Sequence, residues 1–399
     1  MLKKKNKKQN KNLFHLINLL FNRGKKKNKT MVAPIPKNKD EITAEYLNLV
    51  LKDSILKDGN KIISIKDGEY IKPDFKSEVY RIIPTYEKDQ SHLPKSLVIK
   101  LATKNPGINS LLQNIQGYYK EAQFYKRLEE IPEIKTAKVY YSSVADAKNE
   151  FIIVMEDLAL RNLTVANQDI DIDYNMAIAI VRYFALLQSK FWNYKENPLF
   201  KTIEWMKEPN FAIYLKDLTI QMFEERKQSF IERNQHRLMQ KTVETIKTID
   251  IKQLYDKNFP SDLKNCTLVH GDPQPKNVFI DNANHEIVMI DWQYSSVGYG
   301  IKDVVLLLGI WMSSKTTKEE ILNIKNFYYD ELIKNGVKDF SREEFEQQWN
   351  NCLLLSLCNI ASVSEKENIG DDIEKQKKYK AYLELSESRF INFVQNQDF

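Results

Sequence analysis

Apolar positions change their period twice along this chain. Between Asp40 and Leu56, residues Ile42, Tyr46, Leu49 and Val50 recur at helical spacing. From Lys61 the pattern becomes a series of strand-like runs: KIISI, SEVYRIIPTY, SLVIKLA, AKVYYSSV and EFIIVMEDL. β-branched and aromatic residues dominate them, and turn residues separate them. One helical segment, residues 109–131, interrupts the strands. Beyond Leu158 helical spacing returns in three long segments: YNMAIAIVRYFALLQSKFW, IYLKDLTIQMFEERKQSFIERN and EFEQQWNNCLLLSLCNIASV. The pattern predicts an α+β chain of two lobes. Residues 40–157 form a strand-rich N-lobe with one helix, and residues 158–399 a helix-rich C-lobe.

One stretch of the C-lobe breaks the helical period. LVHGDPQPKNVFIDNANHEIVMIDWQ, residues 268–293, reads as two strands, NVFID and EIVMIDW, joined by the polar turn NANH. Residues equidistant from such a turn face each other, which sets Asn277 opposite Ile290 and beside Asp291. Asp272 stands five residues earlier, in a loop that Pro273 and Pro275 stiffen. Two acids and an amide at the open end of a hairpin suit a hard cation. Mg²⁺ takes one or two carboxylates, keeps waters and adds substrate phosphates. In that reading Asp291 supplies charge, Asn277 supplies a neutral oxygen, and Asp272 is left to accept a proton. Any one of the three alone is an ordinary turn cap.

Composition narrows the classes. The 399 residues are 42% hydrophobic and 29% charged, enough for a sizeable core. No run approaches the roughly 18 to 20 apolar residues that span a bilayer. Residues 1–39 hold thirteen Lys or Arg and no acid, so the net charge of +6 leaves −7 on residues 40–399. A body without basic surplus is not a nucleic-acid binder. The basic arm, 1–39, is expected to be disordered and solvated. A weak membrane-surface contact and a mitochondrial presequence are the other readings of it. A secretory signal fits worst, because His15 and Asn18 interrupt its short apolar run. Cys266, Cys352 and Cys358 have no metal spacing and read as reduced core residues. A cytoplasmic location follows, or a mitochondrial one if the arm is a presequence.

HGDPQPKN followed by IDWQ resembles the catalytic and metal-binding segments of the aminoglycoside phosphotransferase and choline kinase superfamily, most of all its ecdysteroid-kinase-like branch. The match is residue for residue at His270, Gly271, Asp272, Asn277, Asp291 and Gln293. The resemblance implies the protein-kinase-like fold and further groups in fixed order. Lys100 in SLVIKLA would touch the α- and β-phosphates of ATP, and Glu121 on the following helix would orient it. Backbone groups of Glu156, Asp157 and Leu158 would form the hinge that pairs with adenine. Asp303, in GYGIKDVVLLL, would tie down the catalytic loop or cap its helix. Two departures stand out. The stretch that should cover the phosphates has a single glycine, Gly68. Gln188 replaces a histidine that relatives often carry.

The resemblance implies an ATP- and Mg²⁺-dependent kinase that phosphorylates a hydroxyl of a small acceptor, with no obligate protein partner. Asp272 would take the proton, and Asn277 with Asp291 would hold the metal. His270 is expected to shape the loop, and Lys276 is a candidate to neutralise γ-phosphate charge, or simply a solvated lysine. Against a protein kinase stand Gly271 in place of arginine, Trp292-Gln293 after Asp291, and the short stretch from Asp291 to Asp303. A catalytically silent binding or scaffold protein is the alternative. The aromatics Trp192, Tyr194, Phe200, Trp205, Phe211 and Tyr214 are candidates for the acceptor pocket, or simply core.

Overall fold

Five strands, β1 (Ile62–Tyr70), β2 (Ser77–Tyr86), β3 (Leu97–Ala102), β4 (Val139–Val144) and β5 (Phe151–Glu156), build the N-terminal sheet. Their order is β1-β2-β3-β5-β4, and every pairing is antiparallel. The computed structural model describes residues 33–397 apart from 72–75, 146, 148, 166–170, 194–195, 202–210, 263 and 364–372. The basic arm up to residue 32 thus lies outside the described residues. A compact unit begins at Ile35, just ahead of Asp40.

Helix α1 (Ala44–Leu51) is capped by Thr43, whose side chain accepts the N–H of Tyr46. The expected single helix over 109–131 is in fact two, α2 (Pro106–Asn114) and α3 (Gly117–Leu128). Gln116 between them is left-handed, at φ 55°. The apolar spacing runs on through Leu112, Ile115 and Tyr118, all buried, so the sequence hides the break. Gly117 marks it: a Cβ there would meet Leu112 at 2.9 Å and the Gln293 carbonyl oxygen at 3.2 Å. The bend lets α3 start afresh against the turn Trp292–Tyr294 that follows the hairpin.

The C-terminal part is helical: α4 (Tyr174–Lys190), α5 (Lys216–Asn234), α6 (Gln240–Thr248), α7 (Ile251–Asn258), α8 (Ile301–Trp311), α9 (Lys318–Lys334), α10 (Arg342–Ala361) and α11 (Ile373–Gln395). Helix α4 packs on α9, and α8 packs on α10 and α11. Helices α9 and α10 open with full capping boxes, Thr317 with Glu320 and Ser341 with Glu344. Among the described residues, no helix is long and apolar enough to cross a membrane.

Two small sheets sit in this helical part. β6 (Leu163–Val165), β8 (Val278–Asp281) and β9 (Ile287–Met289) form one, and β7 (Thr267–Val269) pairs with β10 (Ser296–Gly298) in the other. Strands β8 and β9 are the expected hairpin. Its register sets Val278 against Met289, and the Ile290 N–H donates to the Asn277 carbonyl at 3.0 Å. The short strands β6, β7 and β10 have too few residues to show a period. The whole is the α+β, protein-kinase-like architecture.

Candidate active site

β3 is largely buried on both faces, so Lys100 has little access to water. Its neighbours Ile99 and Leu101 enter the core at 0% and 1% exposure, and Lys100 itself is 7% exposed. A buried ammonium needs partners. Glu121 on α3 and Asp291 after the hairpin supply them: Lys100 Nζ lies 2.8 Å from Glu121 Oε1 and 2.9 Å from Asp291 Oδ1. Residues separated by up to 191 positions thus meet on one nitrogen.

Helix α3 reaches this point twice. One turn after Glu121, the Tyr125 hydroxyl accepts the backbone N–H of Asp291 at 3.3 Å. Trp292 then stacks on Phe124 of the same helix, with centroids 4.9 Å apart. Asp291 is left-handed, at φ 68°, a region aspartate tolerates better than most residues. The twist turns its carboxylate toward Lys100 while Trp292 goes into the core at 0% exposure.

Burial raises the proton affinity of Asp291, but Lys100 and Lys76 outweigh it and hold the carboxyl far below the usual carboxylate range. Burial likewise works against the charge on Lys100, yet Asp291 and Glu121 push its pKa up to about 12. Glu121 goes the other way. Complete burial raises it to about 7, against the pull of Lys100 and with the repulsion of Asp291. The buried Gln293 amide eases its ionisation, although Glu121 Oε2 and both Gln293 amide atoms fall short of hydrogen-bond geometry.

The HGDPQPKN loop is held by Asp303, which is fully buried at the start of α8. Its Oδ2 accepts the His270 N–H at 2.8 Å and its Oδ1 the Gly271 N–H at 2.9 Å. Burial pushes the Asp303 carboxyl up, and the charge of His270 and these two N–H groups pull it back. Gln188 sits beneath: its Nε2 donates to the Gly300 carbonyl at 3.0 Å and to Asp303 at 3.3 Å, and its Oε1 accepts from Tyr328. An amide thus braces Asp303, whichever donor relatives place there. His270 Nε2 meets the Ile290 carbonyl at 3.0 Å, and its Nδ1 accepts the Asp272 N–H at 3.3 Å. The ring ties the loop to the hairpin and, among the described residues, hydrogen-bonds no side-chain acid. Gly271 adopts φ +81°, and a Cβ there would lie 2.4 Å from the Tyr294 carbonyl oxygen. Only glycine fits both the angle and the space.

Asp272 and Asp291 converge on a lysine that the sequence did not single out. Lys76 Nζ lies 2.6 Å from Asp272 Oδ2 and 3.3 Å from Asp291 Oδ2. The same Asp272 oxygen accepts Gln274 Nε2 at 2.6 Å. Asp272 Oδ1 has no hydrogen-bond partner among the described residues. Asn277 Nδ2 donates to the Asp272 carbonyl at 3.0 Å, which fixes the amide and leaves Oδ1 as its uncommitted acceptor. Asp291, Asn277 Oδ1 and nearby Asp272 are hard oxygen donors of the number Mg²⁺ takes when phosphates and water complete its shell. Among the described residues no group of three or more His, Cys, Asp or Glu forms an all-protein cage. The donor set fits the metal only as a partner of phosphate.

The hinge is partly committed already. The Glu156 N–H donates to the Lys138 carbonyl at 2.9 Å, and the Asp157 and Leu158 carbonyls accept from Leu160 and Arg161. The Asp157 side chain grips Arg81 Nε at 2.6 Å and Nη2 at 3.2 Å, and Ser96 Oγ at 2.6 Å. Burial opposes its ionisation, but these donors hold its pKa below the ordinary value. Asp157 therefore locks β2 and β3 to the chain segment after β5. The Leu158 N–H makes no hydrogen bond among the described residues.

The aromatic stretch divides. Trp192 is core, 4.9 Å from Phe340 between ring centroids. Tyr214 is exposed and accepts Asn114 Nδ2 at 2.9 Å. Tyr194, Trp205 and the side chains of Phe200 and Phe211 lie outside the described residues. Lys276 lies half-buried on the turn Pro275–Asn277. Lys76 and Arg81 were missed because a lone cation has no period. Tyr125 carried a usable signal, its place one helical turn from Glu121.

The sequence profile of the ecdysteroid kinase-like family matches residues 73–339. No match was found among curated proteins. Among solved structures, an ethanolamine kinase of Plasmodium vivax is similar at 15% identity, covering 90% of each chain with a TM-score of 0.49. A choline kinase of Streptococcus pneumoniae is similar at 14% identity, covering 84% of this chain and 97% of that one, with a TM-score of 0.41. The profile takes in every charged group of the site, from Lys76 to Asp303, and more than half of the sequence: the chain belongs to the ecdysteroid kinase-like family.

Proposed function

We propose that the protein is an ATP- and Mg²⁺-dependent small-molecule kinase that transfers the γ-phosphoryl group to a hydroxyl of a small acceptor. One observation carries the reading. Lys76, Lys100, Glu121, Asp272 and Asp291 come from separate segments of the chain and form a single charged cluster, linked by contacts of 2.6 to 3.3 Å. A silent scaffold has no need to gather two lysines and three acids at one point, all but Asp272 buried, since such groups cost stability unless function uses them.

Phosphoryl transfer asks the protein for position and neutralisation. Lys100, held by Glu121, would meet the α- and β-phosphates. Asp291 and Asn277 Oδ1 would hold Mg²⁺, which when bound neutralises phosphate charge. The Leu158 N–H would receive the adenine edge. Asp272 Oδ1 would take the acceptor's hydroxyl proton as the acceptor oxygen bonds to phosphorus and ADP leaves. Asp303 and His270 keep that carboxylate aligned, and alignment decides the rate of such a step. Buried free thiols at Cys266, Cys352 and Cys358 support a reducing, cytoplasmic setting.

The test is a screen of small hydroxylated metabolites for ATP-dependent phosphorylation, read by ³¹P NMR, with Asp272→Asn as the blank. Turnover in the wild type that falls by about 10²-fold or more in the variant supports the assignment. Turnover that the variant leaves unchanged contradicts it.

A further inference from the structure

Lys302 stands in the first turn of α8, where the dipole of the helix disfavours a cation. It is half-buried, and among the described residues its Nζ makes no hydrogen bond and no ion pair. The neighbouring acid does not serve it. Both Asp303 oxygens are turned to the loop, Oδ2 to the His270 N–H and Oδ1 to the Gly271 N–H. Burial lowers the Lys302 pKa, and the charges of Asp303 and Cys352 offset this only in part. Cys352 supplies no anion either, because burial pushes its thiol up to about 12.

The side chain lines a recess where α8 packs on α10, together with Ser296, Cys352, Ser356 and Asn359. Ser296 and Ser356 are buried, and their hydroxyls make no hydrogen bond among the described residues. No acid is among the described residues that line the recess. The space open to a water-sized group is about 20 Å³, room for one such group. Val269, which also lines it, immediately precedes the HGDPQPKN loop.

We propose that this recess binds a small monovalent anion, a halide ion or the carboxylate end of a small acid, on the Lys302 ammonium. A cation site would gather acids; this one gathers an ammonium, two hydroxyls and an amide, and no counter-charge touches them. Such groups cost stability when they are withdrawn from water without partners. One anion satisfies the ammonium by charge and the hydroxyls by accepting their protons. The size of the recess excludes a tetrahedral phosphate or sulfate, and a single ammonium balances a single negative charge. The inference does not rest on the kinase reading, and either can fail without the other.

The experiment is ³⁵Cl NMR of chloride in solutions of the full chain. It compares the wild type with Lys302→Met and with Lys52→Met, which removes an exposed lysine elsewhere. Bound chloride broadens the line of the free ion. The excess broadening should be lost in Lys302→Met, be kept in Lys52→Met, and be displaced from the wild type by formate. Thermal unfolding at constant ionic strength is the second measurement. Chloride or formate, each compared with the larger methanesulfonate, should raise the Tm of the wild type and leave Lys302→Met unchanged. Lys302→Gln takes its place if the methionine protein does not fold. A lysine-dependent response to chloride assigns a free halide; a response to formate alone assigns the carboxylate of a ligand. If neither anion gives a response that the Lys302 variants remove, the anion site is overturned.

Discussion

Asp303 Oδ1 accepts the backbone N–H of Gly271 at 2.9 Å, so an acid at the start of one helix sets the shape of a loop 32 residues earlier. Its other oxygen takes the His270 N–H. Asp303→Asn keeps the size but replaces one acceptor with a donor that faces an N–H group. We expect a loss of about 1–3 kcal/mol in folding stability by urea denaturation. The MgATP-dependent rate should fall as well, because Asp272 follows Gly271 directly. Full stability in the variant would contradict the role of Asp303 as loop anchor.

Gly271 is constrained twice, by φ +81° and by the Tyr294 carbonyl 2.4 Å from where a Cβ would stand. Gly271→Ala should cost about 2 kcal/mol or more, since backbone strain and overlap add. Thermal denaturation of the two proteins measures it. A neutral substitution would show that the loop can move away from the turn at Tyr294.

Glu121 gives a pH signature. Its folded pKa of about 7 lies above the ordinary glutamate value of 4.5, so the folded protein binds more protons between those limits. The stability contribution of this group is greatest below pH 4.5 and is lost as pH rises to about 7. Asp291 acts in the opposite sense, with a depressed pKa whose stabilisation is present at neutral pH and fades below the usual carboxylate range. Between pH 5 and 7 the part of the slope that Glu121→Gln removes therefore reports Glu121. Urea denaturation of Glu121→Gln at pH 5, 6 and 7 should show a flatter dependence than the wild type. Identical slopes would contradict the raised pKa.

These groups were legible in the sequence to different depths. HGDPQPKN and IDWQ are contiguous, and a hairpin register needs only counting, so Asn277 beside Asp291 followed from spacing. Lys100 and Glu121 needed the family's order, because a buried lysine looks like any other until its strand is placed. The break at Gln116 was invisible, since apolar residues keep one period across α2 and α3. Lys76, Arg81 and the grip of Asp157 on Ser96 are tertiary pairings between isolated polar residues. No local pattern announces them. Gln188 read as a departure from relatives, yet its amide meets Asp303 and Gly300 in the fold.

Lys100 is the only cation that both Glu121 and Asp291 contact among the described residues. Lys100→Met would leave two buried carboxylates facing each other with less compensation. The expected loss is about 3–5 kcal/mol of stability. Phosphoryl transfer should fall by about 10²-fold or more, because charge neutralisation at the phosphates is lost. Activity assays on protein shown to be folded by circular dichroism separate the two effects. Unchanged turnover in a folded variant would remove Lys100 from the nucleotide site.

The central claim is that Asp291 joins metal and nucleotide in one site, and thermal unfolding in MgATP tests it most directly. At about one hundred times the dissociation constant, a ligand adds about 2.7 kcal/mol of stability, which for a chain of this size raises Tm by roughly 3 °C. The account predicts that rise for the wild type with ATP and Mg²⁺ together, a smaller one with either alone, and none in Asp291→Ala. No rise with MgATP, or an equal rise in Asp291→Ala, would contradict it.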